Sequence, residues 1–338
     1  MTSSARTPRV LSVQSHVVSG YCGNKCATFP LQLLEFEVDV INSTQLSNHT
    51  QYATTRGKMF DNSDLLELHA GLRENDLLEL YDMVITGYIA DETYIATSLL
   101  ELVQEIKSTR KRKNLNFMYT LDPVLGDDGV GYYVPNGTQV AGAYKKFLLD
   151  QADIVTPNKF EATILTGIDI NSQTEADLML GIKKSTDVFH KQYGISFVAI
   201  SSIELATDPN SLICVASMDP SVFQSESSGL KSPIAELKIE DSQSHIWTIK
   251  VPKLPLPFTG TGDLFTALFS GWLHKTSYDV KLSLENTVNT IQTILEDTLK
   301  WCNQLKSSSV QAYELRLVQN RDAILKPQAK YSAKMDSI

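Results

Sequence analysis

The sequence predicts an α/β protein built on a mostly parallel sheet flanked by helices, with a few antiparallel edge strands. Over the first two-thirds of the chain, short apolar or β-branched runs alternate with longer segments of helical period, the pattern of βαβ units. After Glu204 the sequence turns rich in Ser, Asp and Pro, with short strand candidates close together, and this reads as the antiparallel edge.

The elements follow in order. Residues 10–13 form a first strand, a Gly-containing loop follows, and a helix starts near Asn24. Residues 38–41 are the next strand. From Ser63, Leu65, Leu66, Leu68 and Leu72 fall at mostly helical spacing. The strand at 83–85 ends in Thr86-Gly87-Tyr88, and 93–107 is a helix whose Ile95, Leu99, Leu102, Val103 and Ile106 share a broad apolar face. Strands at 117–121 and 154–155 run into Asp122-Pro123 and Thr156-Pro157, where proline fixes φ and removes a ladder donor. Residues 197–200 are one more buried strand, ending at Ser201-Ser202. Strands at 212–216 and 245–251, joined by a surface loop around 221–232, precede helices at 261–273 and 284–305. No internal repeat is visible. We expect one domain over 1–338, with its core at 9–319 and tails at 1–8 and 326–338.

Composition narrows the function. With 42% hydrophobic and 20% charged residues the chain has ample material for a core, and a net charge of −9 argues against nucleic acid as a partner. One basic run, Lys107 with Arg110, Lys111, Arg112 and Lys113, reads as a helix end, with a nuclear-localisation signal as the lesser alternative. Cys22, Cys26, Cys214 and Cys302 form no CxxC pair and no zinc ligand set, so a reduced, cytoplasmic setting is expected. No apolar run is long enough to cross a bilayer, so no membrane association is expected.

In an open parallel sheet, ligands bind beyond the carboxyl ends of the strands. Those ends carry Ser15, Asn42, Thr44, Tyr88, Asp122, Asn158, Glu161, Ser201 and Ser202, so polar and acidic groups converge on one edge. The strongest local signal is Gly260-Thr261-Gly262-Asp263 ahead of an apolar helix. Its glycines let the backbone approach an anion, and the helix N-terminus favours negative charge. Asp263 is then either a helix cap or a base beside a phosphate cradle. No Gly-x4-Gly-Lys-Ser/Thr loop occurs, so a phosphotransferase built here needs a divalent cation, for which Asp122, Asp127 and Glu161 are candidates. Asp127 and Asp128 also suit a turn before Gly129, and Asn158 with Glu161 suits a capping box. His16, His49, Cys22 and Cys26 read as packing residues.

Several motifs occur in order along nearly the whole chain. They are Val10-Leu11-Ser12-Val13-Gln14-Ser15-His16, Gly20-Tyr21 with Gly23-Asn24, Asn48-His49-Thr50 and Thr86-Gly87-Tyr88. Asp122-Pro123-Val124-Leu125-Gly126-Asp127, Thr156-Pro157-Asn158 and Gly260-Thr261-Gly262-Asp263-Leu264-Phe265 complete the set. Together they resemble the pyridoxal kinases of the ribokinase-like superfamily. That resemblance implies a three-layer α/β/α sandwich and ATP-dependent phosphorylation of the 5′-hydroxymethyl group of pyridoxal, pyridoxamine or pyridoxine.

By the same resemblance, Asp263 is the catalytic base, and Ser15, Thr50 and Tyr88 hold the B6 vitamer. Asp122, Asn158, Ser201, Ser202, Gly260, Thr261 and Gly262 serve ATP and its phosphates. Asp127, Glu161 and Thr156 serve metals: Mg²⁺ or another divalent ion such as Zn²⁺, with K⁺ or Na⁺ near Thr156. The resemblance also places the segment from Leu254 to Phe258 beside adenine, and it implies a homodimer, for which the apolar residues from Leu31 to Leu34 are the expected contact. The loop after Asp127 is shorter than the flap of related enzymes. Hydroxymethylpyrimidine kinase and a degenerate binding protein for vitamin B6 or nucleotide are the alternatives.

Overall fold

The computed structural model describes residues 6–134, 136–172, 174–223, 244–307 and 309–336. Its strands are β1 (Arg9–Val17), β2 (Glu37–Leu46), β3 (Gly57–Met59), β4 (Met83–Thr86), β5 (Met118–Leu121), β6 (Gly126–Asp127), β7 (Gly131–Tyr132), β8 (Ile154–Val155), β9 (Phe197–Leu205), β10 (Asp208–Met218), β11 (His245–Pro252) and β12 (Lys334–Asp336). The helices are α1 (Asn24–Leu33), α2 (Asn62–Glu74), α3 (Glu92–Tyr94), α4 (Leu100–Arg112), α5 (Gly137–Ala143), α6 (Lys159–Thr166), α7 (Glu175–Tyr193), α8 (Thr261–Lys275), α9 (Val280–Leu305) and α10 (Arg321–Leu325).

A 10-stranded sheet has the order β12-β11-β10-β9-β8-β5-β4-β1-β2-β3. Its centre, from β2 through β9, is parallel. The two flanks, β3 on one side and β10 to β12 on the other, are antiparallel. Side-chain alternation along the central strands sorts the core into two layers. Leu11, Val13, Val84, Tyr119, Leu121, Val155, Val198 and Ile200 pack with α4 and α7 on one face. Val10, Met83, Ile85, Met118, Ile154, Phe197 and Ala199 pack with α1, α8 and α9 on the other. The result is the expected helix–sheet–helix sandwich.

Several expectations are corrected. The helix foreseen at 93–107 starts at Glu92, passes through a π turn at Ile95–Leu99 and runs to Arg112. There the Thr97 and Ser98 hydroxyls bond back to the carbonyls of Thr93 and Tyr94, competing with the ladder. The start foreseen at Ser63 falls one residue earlier, because Asp61 and Asp64 close a capping box. The C-terminal segment is no tail: β12 pairs with β11, and the Asn289 side chain holds the strand's approach through Lys330 and Tyr331.

The basic run is tied into the fold. Arg110 is 2% exposed and bonds Asp82, Glu79 and Asn116, while Lys107 donates to Gln151 and Lys113 pairs with Glu79. The run closes the last turn of α4, as the helix-end reading expects, with Lys111, Arg112 and Lys113 exposed. Leu31 and Leu34, expected to face a second subunit, are core residues at 0% and 2% exposure. The loop expected at 221–232 falls, beyond residue 223, outside the described residues.

Candidate active site

Two helix N-termini meet at Asp263. Gly260, at φ 82°, ends the approach to α8, and Gly23, at φ 52°, ends the approach to α1. Both positions need glycine for close contact: a Cβ at Gly23 would lie 2.0 Å from the Ser15 carbonyl, and one at Gly260 would lie 2.4 Å from that of Tyr21. This tight fit lets the Gly23 N–H donate to Asp263 Oδ2 at 2.8 Å. Burial raises the Asp263 pKa above its usual range, while the Gly23 N–H and the Cys22 thiol pull it back. Asp263 is therefore more than a cap on its own helix, since its described hydrogen bond reaches across to another element. Cys22 lies beside it, 3.9 Å from Ser15 Oγ, and desolvation and the Asp263 charge push its thiol pKa well up.

A second acidic group sits at the ends of β5 and β8. Asp122 is 4% exposed and accepts from the Thr266 hydroxyl at 3.0 Å. Thr156 lies 2.8 Å from the same hydroxyl, so its own proton points at Thr266. Burial and the charges of Glu161 and Asp263 push Asp122 well above the usual carboxylate range. Glu161 is also raised, up to about 8, chiefly by burial. Its oxygens accept from the N–H groups of Leu125 and Asn158 at 2.8 and 2.9 Å. Asn158 in turn caps α6 and donates through Nδ2 to Gly126 O and Asp127 Oδ1. The capping box is thus real, and it fixes the hairpin of β6 and β7 against α6.

Asp122, Asp127 and Glu161 do not converge as a three-ligand cage. Among the described residues, the one such group is His69, Glu101 and Glu105, far along the other helical layer. Arg73 already bridges both of those glutamates. Near the strand ends, burial first and neighbouring negative charge second raise the pKa values of Asp122 and Glu161, and a divalent cation would favour their ionised forms. The donor set fits a hard cation that keeps most of its water and takes the remaining ligands from phosphate.

Of the residues expected to serve the nucleotide, Ser201, Ser202, Thr261 and Gly262 line one cavity of about 260 Å³, whereas Asp122, Asn158 and Gly260 do not. Ser201, Ser202, Thr261 and Gly262 stand at one part of its wall, while Leu254, Leu256, Pro257, Phe258, Val288 and Ile291 make it apolar. Ser202 takes φ 53°, and the ladder between β9 and β10 slips at this point, so a bulge in β9 sets the serine pair at the cavity wall.

The remaining vitamer residues are less gathered. Tyr88 is half-buried, its carbonyl accepting from Ser43 Oγ at 2.6 Å. Thr50 is exposed on the loop after β2, and no described contact ties it to Asp263. Sequence reasoning missed Thr266, which has no motif beyond its place one turn after Asp263. It also missed Glu314, which bonds Tyr21, His49 and Tyr52 from the far end of the chain.

A twisted sheet with this order, a glycine-flanked helix N-terminus, a buried carboxylate and an apolar cavity beside it define a small-molecule kinase of the ribokinase-like class. No family profile matches the chain. It is 37% identical to the human pyridoxal kinase over 95% of its length and 96% of that protein. It is likewise 37% identical to the Arabidopsis thaliana pyridoxal kinase, over 97% of this chain and 94% of the other. The Leishmania donovani pyridoxal kinase bound to ADP and pyridoxamine superposes with a TM-score of 0.81 at 32% identity, covering 97% and 99% of the two chains. The chain belongs to the pyridoxal kinase family.

Proposed function

We propose that this chain phosphorylates the 5′-hydroxymethyl group of B6 vitamers with ATP, and that Asp263 accepts the alcohol proton. The observation that carries the assignment is the Gly23–Asp263 hydrogen bond, which fixes a buried carboxylate between two helix N-termini. A primary alcohol is a poor nucleophile, and a carboxylate in reach of its proton speeds attack by roughly 10²–10⁴-fold. Main-chain N–H groups at Gly260 and Gly262 stabilise the charge that spreads over the transferring phosphoryl. A divalent ion, Mg²⁺ or Zn²⁺, supplies further charge neutralisation when bound, with Asp122 the carboxylate best placed to support it and Asp127 and Glu161 behind it.

Glu161 acts mainly by holding Leu125 and Asn158 in place. Ser201, Ser202 and Thr261 serve the nucleotide from the cavity wall, and K⁺ or Na⁺ is placed near Thr156. Ser15, Thr50 and Tyr88 are assigned to the vitamer. We extend the reading to a homodimer. Its support here is exposed apolar surface on β2 and β3 at one margin of the sheet, Val40 at 46% and Met59 at 50%, testable by sedimentation.

A coupled ADP-release assay tests the function. Release that depends on pyridoxal, and not on hydroxymethylpyrimidine, separates the reading from its same-class alternative. A folded protein that binds pyridoxal and ATP but releases no ADP would instead be a binding protein.

A further inference from the structure

Glu314 lies at the opposite end of the chain from every vitamer residue, yet its carboxylate stands between two of their loops. Oε2 accepts the Tyr21 N–H at 3.0 Å, while Oε1 lies 3.0 Å from His49 Nε2 and accepts the Tyr52 hydroxyl at 3.0 Å. The approach is possible because residue 20 is glycine at φ 88°: a Cβ there would lie 2.2 Å from Glu314 Oε1. The carboxylate is delivered on a rigid support. Leu315 and Leu317 are buried at 1% and 0%, and Arg316 between them donates to Asp297 at 2.7 Å and stacks on Trp301.

The two loops it joins lead straight to the site. Tyr21 is two residues before Gly23, whose N–H holds Asp263, and the Tyr21 carbonyl packs on Gly260. His49, 4% exposed with its Nδ1 lacking a partner among the described residues, is the neighbour of Thr50. We propose that Glu314 is a positioning residue for the alcohol substrate, tying the loop of Gly20 and Tyr21 to that of His49 and Tyr52 across the mouth of the vitamer site. The inference rests on the kinase reading above. It adds that vitamer affinity is set from a segment that does not touch ATP.

The experiment compares wild type, Glu314→Ala and Glu314→Gln in the ADP-release assay, with thermal shifts by pyridoxal and by ADP measured separately. Loss of charge-assisted hydrogen bonds to two loops should raise the pyridoxal KM about tenfold to a hundredfold in Glu314→Ala. The ATP KM and the ADP-induced shift should stay within about twofold of wild type. Glu314→Gln, which keeps one acceptor, should fall between. An unchanged pyridoxal KM overturns the proposal. So does a parallel rise of both KM values with a lowered Tm, which would make Glu314 a fold staple; if the alanine variant does not fold, the glutamine variant is judged by the same criteria. Inactive wild-type protein would instead sink the kinase reading itself.

Discussion

The main-chain N–H of Gly23 is bonded to the Asp263 carboxylate at 2.8 Å, across 240 residues of sequence. The carboxylate we propose as the base is therefore oriented by a loop at the start of the chain and carried by a helix in its last quarter. Replacing Asp263 with Asn keeps an acceptor for that N–H but removes the proton acceptor. We expect Asp263→Asn to lose about 10²–10⁴-fold in kcat while isothermal titration shows ATP and pyridoxal binding nearly unchanged. Comparable loss of affinity at unchanged kcat would make the residue a binding group.

The acid limb of the pH profile follows from the same residue. Burial raises the Asp263 pKa, and only its ionised form accepts a proton. kcat/KM should therefore fall as pH drops through that raised pKa, at higher pH than an exposed aspartate would give, and this limb should vanish from the residual activity of Asp263→Asn.

Glu161 makes a prediction about stability. Its pKa lies near 8 in the fold, above the ordinary 4.5. The folded state thus binds more protons than the unfolded state between these values, so stability present below the lower one is lost as pH rises toward the upper. Metal-free protein should lose Tm across this window. Glu161→Gln should start less stable, because one backbone N–H loses its acceptor, but show a flatter slope.

Two glycines that look alike in sequence should behave oppositely. Gly260→Ala forces a methyl to 2.4 Å from a carbonyl at positive φ, which should cost roughly 1–3 kcal/mol and most of the activity. Gly262 has ordinary φ and nothing within 4 Å of an added Cβ. Gly262→Ala should leave the stability unchanged or raise it by up to ~1 kcal/mol of helix propensity, yet increase the ATP KM by crowding the phosphate approach. Melting curves and initial rates on both variants check the contrast.

Thr266→Val removes the donor to Asp122 and strands the Thr156 hydroxyl, both buried. A loss of about 1–3 kcal/mol in stability is expected, measurable in urea titrations, with a reduced kcat.

Much of the fold was legible because the strands are short, apolar and stopped by proline or glycine, as at Leu121-Asp122-Pro123 and Val155-Thr156-Pro157. Side-chain period then separated them from the helices. Strand β12 was not legible: Lys334, Met335 and Asp336 have no alternation of their own, and their pairing is imposed by β11. The fold-level position of Asp122, Glu161 and Asp263 at the strand ends could be read from sequence. The direction of their oxygens could not, because Glu161 is committed to backbone N–H groups that only the tertiary structure brings near. Glu314 was invisible for the same reason, since no local pattern marks a carboxylate whose partners lie more than two hundred residues away.

The thiol beside Asp263 has a chemical consequence of its own. Pyridoxal is an aldehyde, and an ionised sulfur near its carbonyl would add to it and leave the enzyme stalled as a hemithioacetal. Desolvation together with the neighbouring carboxylate keeps Cys22 protonated at neutral pH, so the sulfur fills space without attacking its guest.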